Sequence, residues 1–270
     1  MDKVFQKCKN IYSKYTVFFF TAVFLLWIKT YIVQLTQFDL GIENSIQQFL
    51  LILNPLGSAI IFLGLAWLFK GKRKYIWLIV IDFLLSVLLY ANVLYYRFFN
   101  DFITLPTILQ TQNFGDVSSS VTSLLRPYDI LFFMDILILI GMLAFKFVKI
   151  DVTSIKRRSV VAVLLLGIGI SGVNLALAEM DRPQLLTRGF DRNYIVKYLG
   201  MYNYTIYDAI QTTKASTQRA LADSDDIAEV INHTKSTYAE PDPKYFGAGK
   251  GKNVILLHLE SIQEFLINYE

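Results

Sequence analysis

One cysteine, two histidines and six prolines in 270 residues exclude several kinds of protein at once. Cys8 stands alone, so the chain holds no intramolecular disulfide and no cysteine metal cluster, and it reads as a free thiol. His233 and His258 are too few for a site that needs three or more histidines. No segment repeats and none is low in complexity. Charge is also scarce: 18% of residues are charged and the formal net charge is +4. No nucleic-acid partner is expected, and the placing of the basic residues carries more information than their sum.

What the chain has instead is long apolar runs. It is 54% hydrophobic and 15% aromatic, with a mean hydropathy of +0.43, which is too apolar for one soluble domain. About twenty apolar residues suffice to cross the hydrocarbon of a bilayer. Runs of that kind lie at 15–35, 48–69, 75–99, 128–147 and 159–178, and each is predicted to be a transmembrane helix. The first is too long for a signal-peptide core, and no small-residue cleavage site follows it. Pro55 removes a backbone donor inside the second and predicts a kink.

The basic residues alternate by side. Lys3, Lys7, Lys9 and Lys14 precede span 1. Lys70, Lys72, Arg73 and Lys74 join spans 2 and 3, and Lys149, Lys156, Arg157 and Arg158 join spans 4 and 5. The other connections are nearly free of them. The positive-inside rule then puts the N-terminus in the cytoplasm. Five spans place everything after residue 178 outside the cell.

Residues 179–252 are polar and hold no spanning run, so they read as an extracellular linker. Tyr194 and Tyr198, with Arg188, Arg192 and Lys197, are candidates for contact with lipid headgroups, since tyrosine favours the interface and basic side chains suit anionic lipid. A solvated linker helix is the plainer reading of the same residues. Residues 217–238 are predicted to be a helix, with Asp223, Asp225 and Asp226 as caps or breaks. Ala220-Leu-Ala222 has the A-x-A form of a signal-peptidase site. Asn253–Ser261 is a short apolar run ending in Glu260, the pattern of a strand buried on both faces of a parallel sheet. In such sheets ligands gather at the carboxyl ends of the strands, so Glu260 stands where a metal or substrate group would be met; a solvated strand-end charge is the alternative. His258 reads as a core histidine.

Ionisable residues inside the spans are costly and face the protein interior. Asp135 in span 4 and Lys29 in span 1 lie at matching depths and are candidates for a pair. A Lys29 that snorkels to the interface is the alternative. Asp82 in span 3 is assigned to packing.

Two stretches are more specific than the spans. Asp181-Arg-Pro-Gln-Leu-Leu-Thr-Arg-Gly-Phe-Asp-Arg-Asn-Tyr-Ile-Val-Lys-Tyr-Leu-Gly200 and Lys252–Asn268 closely resemble lipoteichoic acid synthase, the polyglycerol-phosphate polymerase of Gram-positive bacteria. The resemblance runs the length of the chain. It implies a polytopic α-helical membrane domain of five transmembrane helices (1–178), an extracellular helical linker (179–252), and the first strand of a truncated α/β sulfatase-like domain (253–270). It further implies an enzyme of the plasma membrane that transfers glycerol phosphate from phosphatidylglycerol to a glycolipid-anchored polyglycerol-phosphate chain, through a threonine nucleophile with Mn2+ at the site. Glu260 matches the family's metal-ligand glutamate. The threonine and the later Asp and His ligands fall beyond the residues present, so the chain is expected to be a fragment that binds no metal and is inactive alone. The family is cut in this linker, which supports signal peptidase as a partner at Ala222. A truncated, non-catalytic membrane protein that binds lipid or pairs with the full-length enzyme is the alternative function. A transporter is the weakest reading, since the spans show no inverted halves.

Overall fold

The computed structural model describes residues 14–109, 123–148, 150–153, 155–187, 191–221, 224–238, 242–253 and 255. The chain divides into two units, residues 1–217 and 218–270.

The first unit is a helical bundle. Its helices are α1 (Lys14–Thr36), α2 (Ser45–Gly64), α3 (Arg73–Phe99), the short α4 (Leu105–Leu109), α5 (Met134–Ala144), α6 (Arg157–Asp181), α7 (Arg192–Leu199) and α8 (Met201–Leu221). A 3-10 turn, Leu65–Leu68, extends α2, and another, Pro127–Phe133, leads into α5. Five of these segments are long and apolar enough to cross a membrane: Tyr15–Thr36, Ser45–Leu68, Arg73–Phe99, Pro127–Ala144 and Arg157–Asp181. Their order puts the loops after α2 and after α5 at one end of the bundle, the basic end, and the other connections at the far end.

Helix termini follow local chemistry. Asn44 caps α2, its side chain accepting from the Gln47 N–H at 2.8 Å. The helix runs unbroken through the buried Pro55. Asn100 closes α3 in the left-handed conformation (φ 53) and returns its N–H to the Tyr96 carbonyl. The fourth span opens as a 3-10 turn because Pro127 sits at its start and Asp129 reaches back to the Arg126 N–H at 2.9 Å. It ends earlier than the hydropathy suggests, at Ala144, where Lys146 turns the chain with φ 57.

Helix α1 buries Tyr15, Phe18, Phe19, Ala22 and Leu26, while Val17, Phe20, Phe24 and Ile32 on its other face stay exposed. A helix that is apolar all round needs hydrocarbon on whichever face the protein does not cover. Helix α6 shows this most: only 17% of its apolar stretch is buried, and Leu165, Leu166, Ile168 and Val173 face outward. Its partner is α2, approached at small residues. A Cβ on Gly167 would lie 2.7 Å from Ile61 Cγ1 and 3.1 Å from the Ile61 main-chain nitrogen, and one on Gly57 would lie 2.6 Å from Ser171 Oγ, so the seam leaves no room for a side chain at Gly167 and would have to displace the Ser171 hydroxyl for one at Gly57.

In the second unit the described residues form the end of α8, α9 (Ser224–Ser236) and turns over 243–250. Ile227, Val230 and Ile231 make an exposed apolar stripe on α9. No strand occurs among the described residues; of the strand expected over 254–259 only Ile255 is among them, outside any strand and exposed, and the rest, with His258 and Glu260, lies outside them.

Candidate functional site

Polar side chains buried in the bundle gather at two levels. The first is midway along the spans. Lys29 on α1 donates to Ser86 Oγ of α3 at 2.6 Å and to the Phe132 carbonyl at 3.1 Å, and its ammonium contacts the Asp135 carboxylate of α5. Their side chains are 10% and 3% exposed. Sequence depth had brought these two together; Ser86 it had not. Asp82, one turn before Ser86, is fully buried and faces the Asp135 carboxyl. Thr30, next to Lys29, lies 3.4 Å from the hydroxyl of Tyr202.

Tyr202 belongs to α8, beyond the five spans, and its hydroxyl donates to the Leu85 carbonyl on α3 at 3.3 Å. The segment that follows the fifth span therefore enters the bundle. Burial pushes the Tyr202 phenol well above its ordinary pKa. Helix α7 leads in from the far end: Ile195, Val196, Lys197, Tyr198 and Leu199 are all buried. It stops at Gly200, where φ is 80 and ψ is 157, and α8 starts from the next residue.

A helix end inside a membrane leaves carbonyls that hydrocarbon cannot satisfy. Two asparagines from the spans meet them. Asn54 on α2 donates to the Lys197 carbonyl at 3.2 Å, and Asn174 on α6 donates to the Tyr198 carbonyl at 2.8 Å. Gly200 lies against Asn54 so closely that a Cβ there would be 2.6 Å from the Asn54 Cβ. Ser58 on α2 donates to Asn203 Oδ1 at 3.2 Å, which holds the first turn of α8.

The second level is a ring at the far end. Asp181, closing α6, accepts from Tyr198 at 2.7 Å, from Gln47 at 3.1 Å and from Asn44 at 3.0 Å. Burial first, and the Asp181 carboxylate second, push the Tyr198 phenol up to about 12. Lys197 donates to the Gly41 carbonyl at 2.6 Å and stands over the ring of Tyr194. Arg97 forks onto Asp129 with two bonds of 2.8 Å, and Arg192 pairs with Asp101.

Of the residues assigned to lipid contact, Lys197 and Tyr198 are 3% and 2% exposed and face protein. The apolar side of α7 looks the same in sequence whether it meets lipid or a bundle. Tyr194 and Arg192 remain partly exposed. Arg188 and Ala222 lie outside the described residues, and Ala220 falls in the last turn of α8. Among the described residues no three His, Cys, Asp or Glu side chains come together to hold a metal.

Two open cavities border these groups. An apolar one of about 400 Å3 lies between α1 and the fourth span, with Lys29 and Asp135 in its wall. A polar one of about 550 Å3 at the far end is lined by Arg192, Tyr204, Tyr207, Asp208 and Lys214.

Five apolar spans that bury Asp82, Asp135, Asn54 and Asn174 in the bundle interior define a multi-pass α-helical membrane protein, and here its connecting segment is built into the core. The lipoteichoic acid synthase N-terminal domain family matches residues 1–221, and the chain belongs to that family. It is 51% identical to Lipoteichoic acid synthase 1 of Bacillus subtilis over 262 residues, which is 97% of this chain and 41% of that protein. Identity to Lipoteichoic acid synthase 2 of the same organism is 54%, over 94% of this chain and 39% of the relative. Against the Lipoteichoic acid synthase of Staphylococcus aureus (strain USA300) it is 41%, over 93% and 39%. The chain thus spans about two fifths of the length of these curated relatives. No solved structure matches it.

Proposed function

We propose that the chain is the membrane anchor and linker of a lipoteichoic acid synthase, a phosphoglycerol transferase of the Gram-positive plasma membrane. The observation that carries this is the seat of α7 and α8: Asn54 and Asn174 satisfy the end of α7 within the bundle, inside the region that matches the family. A linker fixed in this way hands the following residues to one face of the membrane from a defined point. With the basic loops in the cytoplasm, that face is the outer one, where the headgroup of phosphatidylglycerol and a glycolipid-anchored polyglycerol-phosphate chain are met. Arg192 and Tyr194, both partly exposed, are the linker residues that would touch lipid there.

Glu260 is proposed as a metal ligand on the resemblance alone. When bound, Mn2+ would polarise a phosphoryl oxygen and favour attack by a hydroxyl, and it would need several further oxygen or nitrogen ligands. What the described residues contribute is anchoring, through the five spans, and positioning, through Gly200, Asn54 and Asn174. Cleavage after Ala222 would separate the following residues from this unit.

The test is a chimera. Residues 1–221 of this chain replace the matching segment of Lipoteichoic acid synthase 1 of Bacillus subtilis, in cells lacking their own polymer synthesis. Restored polyglycerol phosphate, lost again when the relative's counterpart of Glu260 is changed to alanine, is the expected result. A chimera that inserts stably in the membrane yet makes no polymer would refute the anchoring role.

A further inference from the structure

The bonds around Lys29 leave Asp82 without a donor. A lysine ammonium has three protons to give, and here they go to Ser86 Oγ, the Phe132 carbonyl and Asp135 Oδ2. The Ser86 hydroxyl gives its own proton to the main-chain carbonyl of Asp82 at 2.7 Å. Tyr202, from α8, directs its hydroxyl to the Leu85 carbonyl. Among the described residues no donor reaches either carboxyl oxygen of Asp82, and Asp135 Oδ1 is equally unpartnered. Asp82 is fully buried and Asp135 is 4% exposed. Asp82 stands nine positions into α3 from Arg73, about 14 Å along the axis at 1.5 Å per residue, well inside the hydrocarbon.

The charge count points the same way. The ionisable groups that face Asp82 are Asp135 from α5 and Lys29 from α1, with the Tyr202 phenol from α8 beside them. Two carboxylates against one ammonium would leave a net negative charge in a medium that cannot solvate it. Adjacent carboxyl groups in such a medium do not both ionise.

We infer that Asp82 and Asp135 share one proton, an O–H···O bond between two carboxyl groups that, with Lys29, makes a neutral intramembrane proton-holding site. The proton belongs to the pair and not to either residue. It supplies the proton that no neighbouring donor has left to give and ties α3 to α5. Lys29 already fills the place of a cation, so a bound metal ion has no role here.

The test reads the proton directly. Infrared spectra of the purified chain in detergent, at about pH 7, should contain the carbonyl stretch of a protonated carboxylic acid, shifted down in D2O. An ordinary carboxyl group, with a pKa of about 4, is ionised there. Asp82→Asn should lose this band. Asp135→Asn should lose it too, because Asp82 then ionises as the sole counter-ion of Lys29. Lys29→Met should double it. The asparagine variants keep shape and volume, so folding is expected, and gel filtration checks it. Should any variant fail to fold, the wild-type band at about pH 7 still decides: its absence overturns the proposal. A wild-type band that persists in Asp82→Asn does the same, as does a melting temperature that depends on Na+ with no acid band.

Discussion

Gly200→Ala should unseat the linker. Gly200 has φ 80 and ψ 157, a region essentially reserved for glycine, where a side chain costs about 1–3 kcal/mol. The new Cβ would lie 2.6 Å from the Cβ and 3.2 Å from the Cγ of Asn54. Asn54 cannot give way easily, being fixed on a spanning helix and bonded to the Lys197 carbonyl at 3.2 Å. Overpacking of this kind adds about 1–3 kcal/mol, so the seat loses about 2–6 kcal/mol. Moving Gly200 away to relieve the clash breaks the Asn54 and Asn174 bonds together. Limited trypsin digestion in detergent, read by mass spectrometry, reports the outcome at Lys197, which is 3% exposed and should be protected in the wild type. The variant should be cut there and should melt several degrees lower. Gly249→Ala is the control, since its Cβ meets nothing within 4 Å. A Gly200→Ala protein that melts like the wild type and keeps Lys197 protected would refute the seat.

Gly167→Ala should destabilise the bundle by about 1–3 kcal/mol, because its Cβ meets Ile61 at 2.7 Å; Gly169→Ala, with nothing within 4 Å, should not, and detergent melting separates the two. Lys29→Ala and Asp135→Ala should each lower stability, and the double change should cost less than their sum by about 0.5–1.7 kcal/mol; strict additivity would count against the pair. The Tyr198 phenol is held at about 12 against an ordinary 10.0. The folded state therefore keeps a proton that the unfolded state loses, and the stability it contributes is whole below pH 10 and falls away as pH rises through about 12. Tyr198→Phe should flatten the melting curve over that window. In intact cells carrying Cys8→Ser, an impermeant thiol reagent should label Thr212→Cys and spare Lys72→Cys; the reverse pattern would invert the topology.

The five spans were legible because length and apolarity suffice to define them, and the α2–α6 seam was not, because Gly57 and Gly167 look like any other glycines until a neighbour is placed against them. Matching depth made Lys29 and Asp135 candidates for a pair, with a snorkelling Lys29 as the alternative, and the two side chains are in contact in the structure. Asp82 was assigned to packing because it lies on the inner side, within reach of the basic ends of the spans, and its neighbour of like sign, Asp135, comes from a different helix. The most instructive difference lies at α7. Its tyrosines and lysine read as a face for lipid headgroups, and the same residues serve equally well against a bundle. The signal that could have found the seat was in the spans: Asn54 and Asn174 are amides in hydrocarbon, and each needs a bond that its own helix does not provide.

That signal also moves a boundary. Hydropathy ends the membrane domain at residue 178, where the apolar run ends. The packing ends it later: Tyr202 and Tyr204 are still buried, Asp208 accepts the Leu105 N–H at 2.6 Å, and the compact unit closes at Thr217, four residues short of the family match at 221. Residues 191–208 are thus membrane-domain residues by burial and linker residues only by composition. A cut after Ala222 would then fall beyond the whole of this unit and not within it. The bundle left behind would keep α7, Gly200 and the inserted Tyr202 in place, with the Lys197 and Tyr198 carbonyls still bonded to Asn54 and Asn174. Cleavage would separate the two parts of the protein without unfolding the one that stays in the membrane.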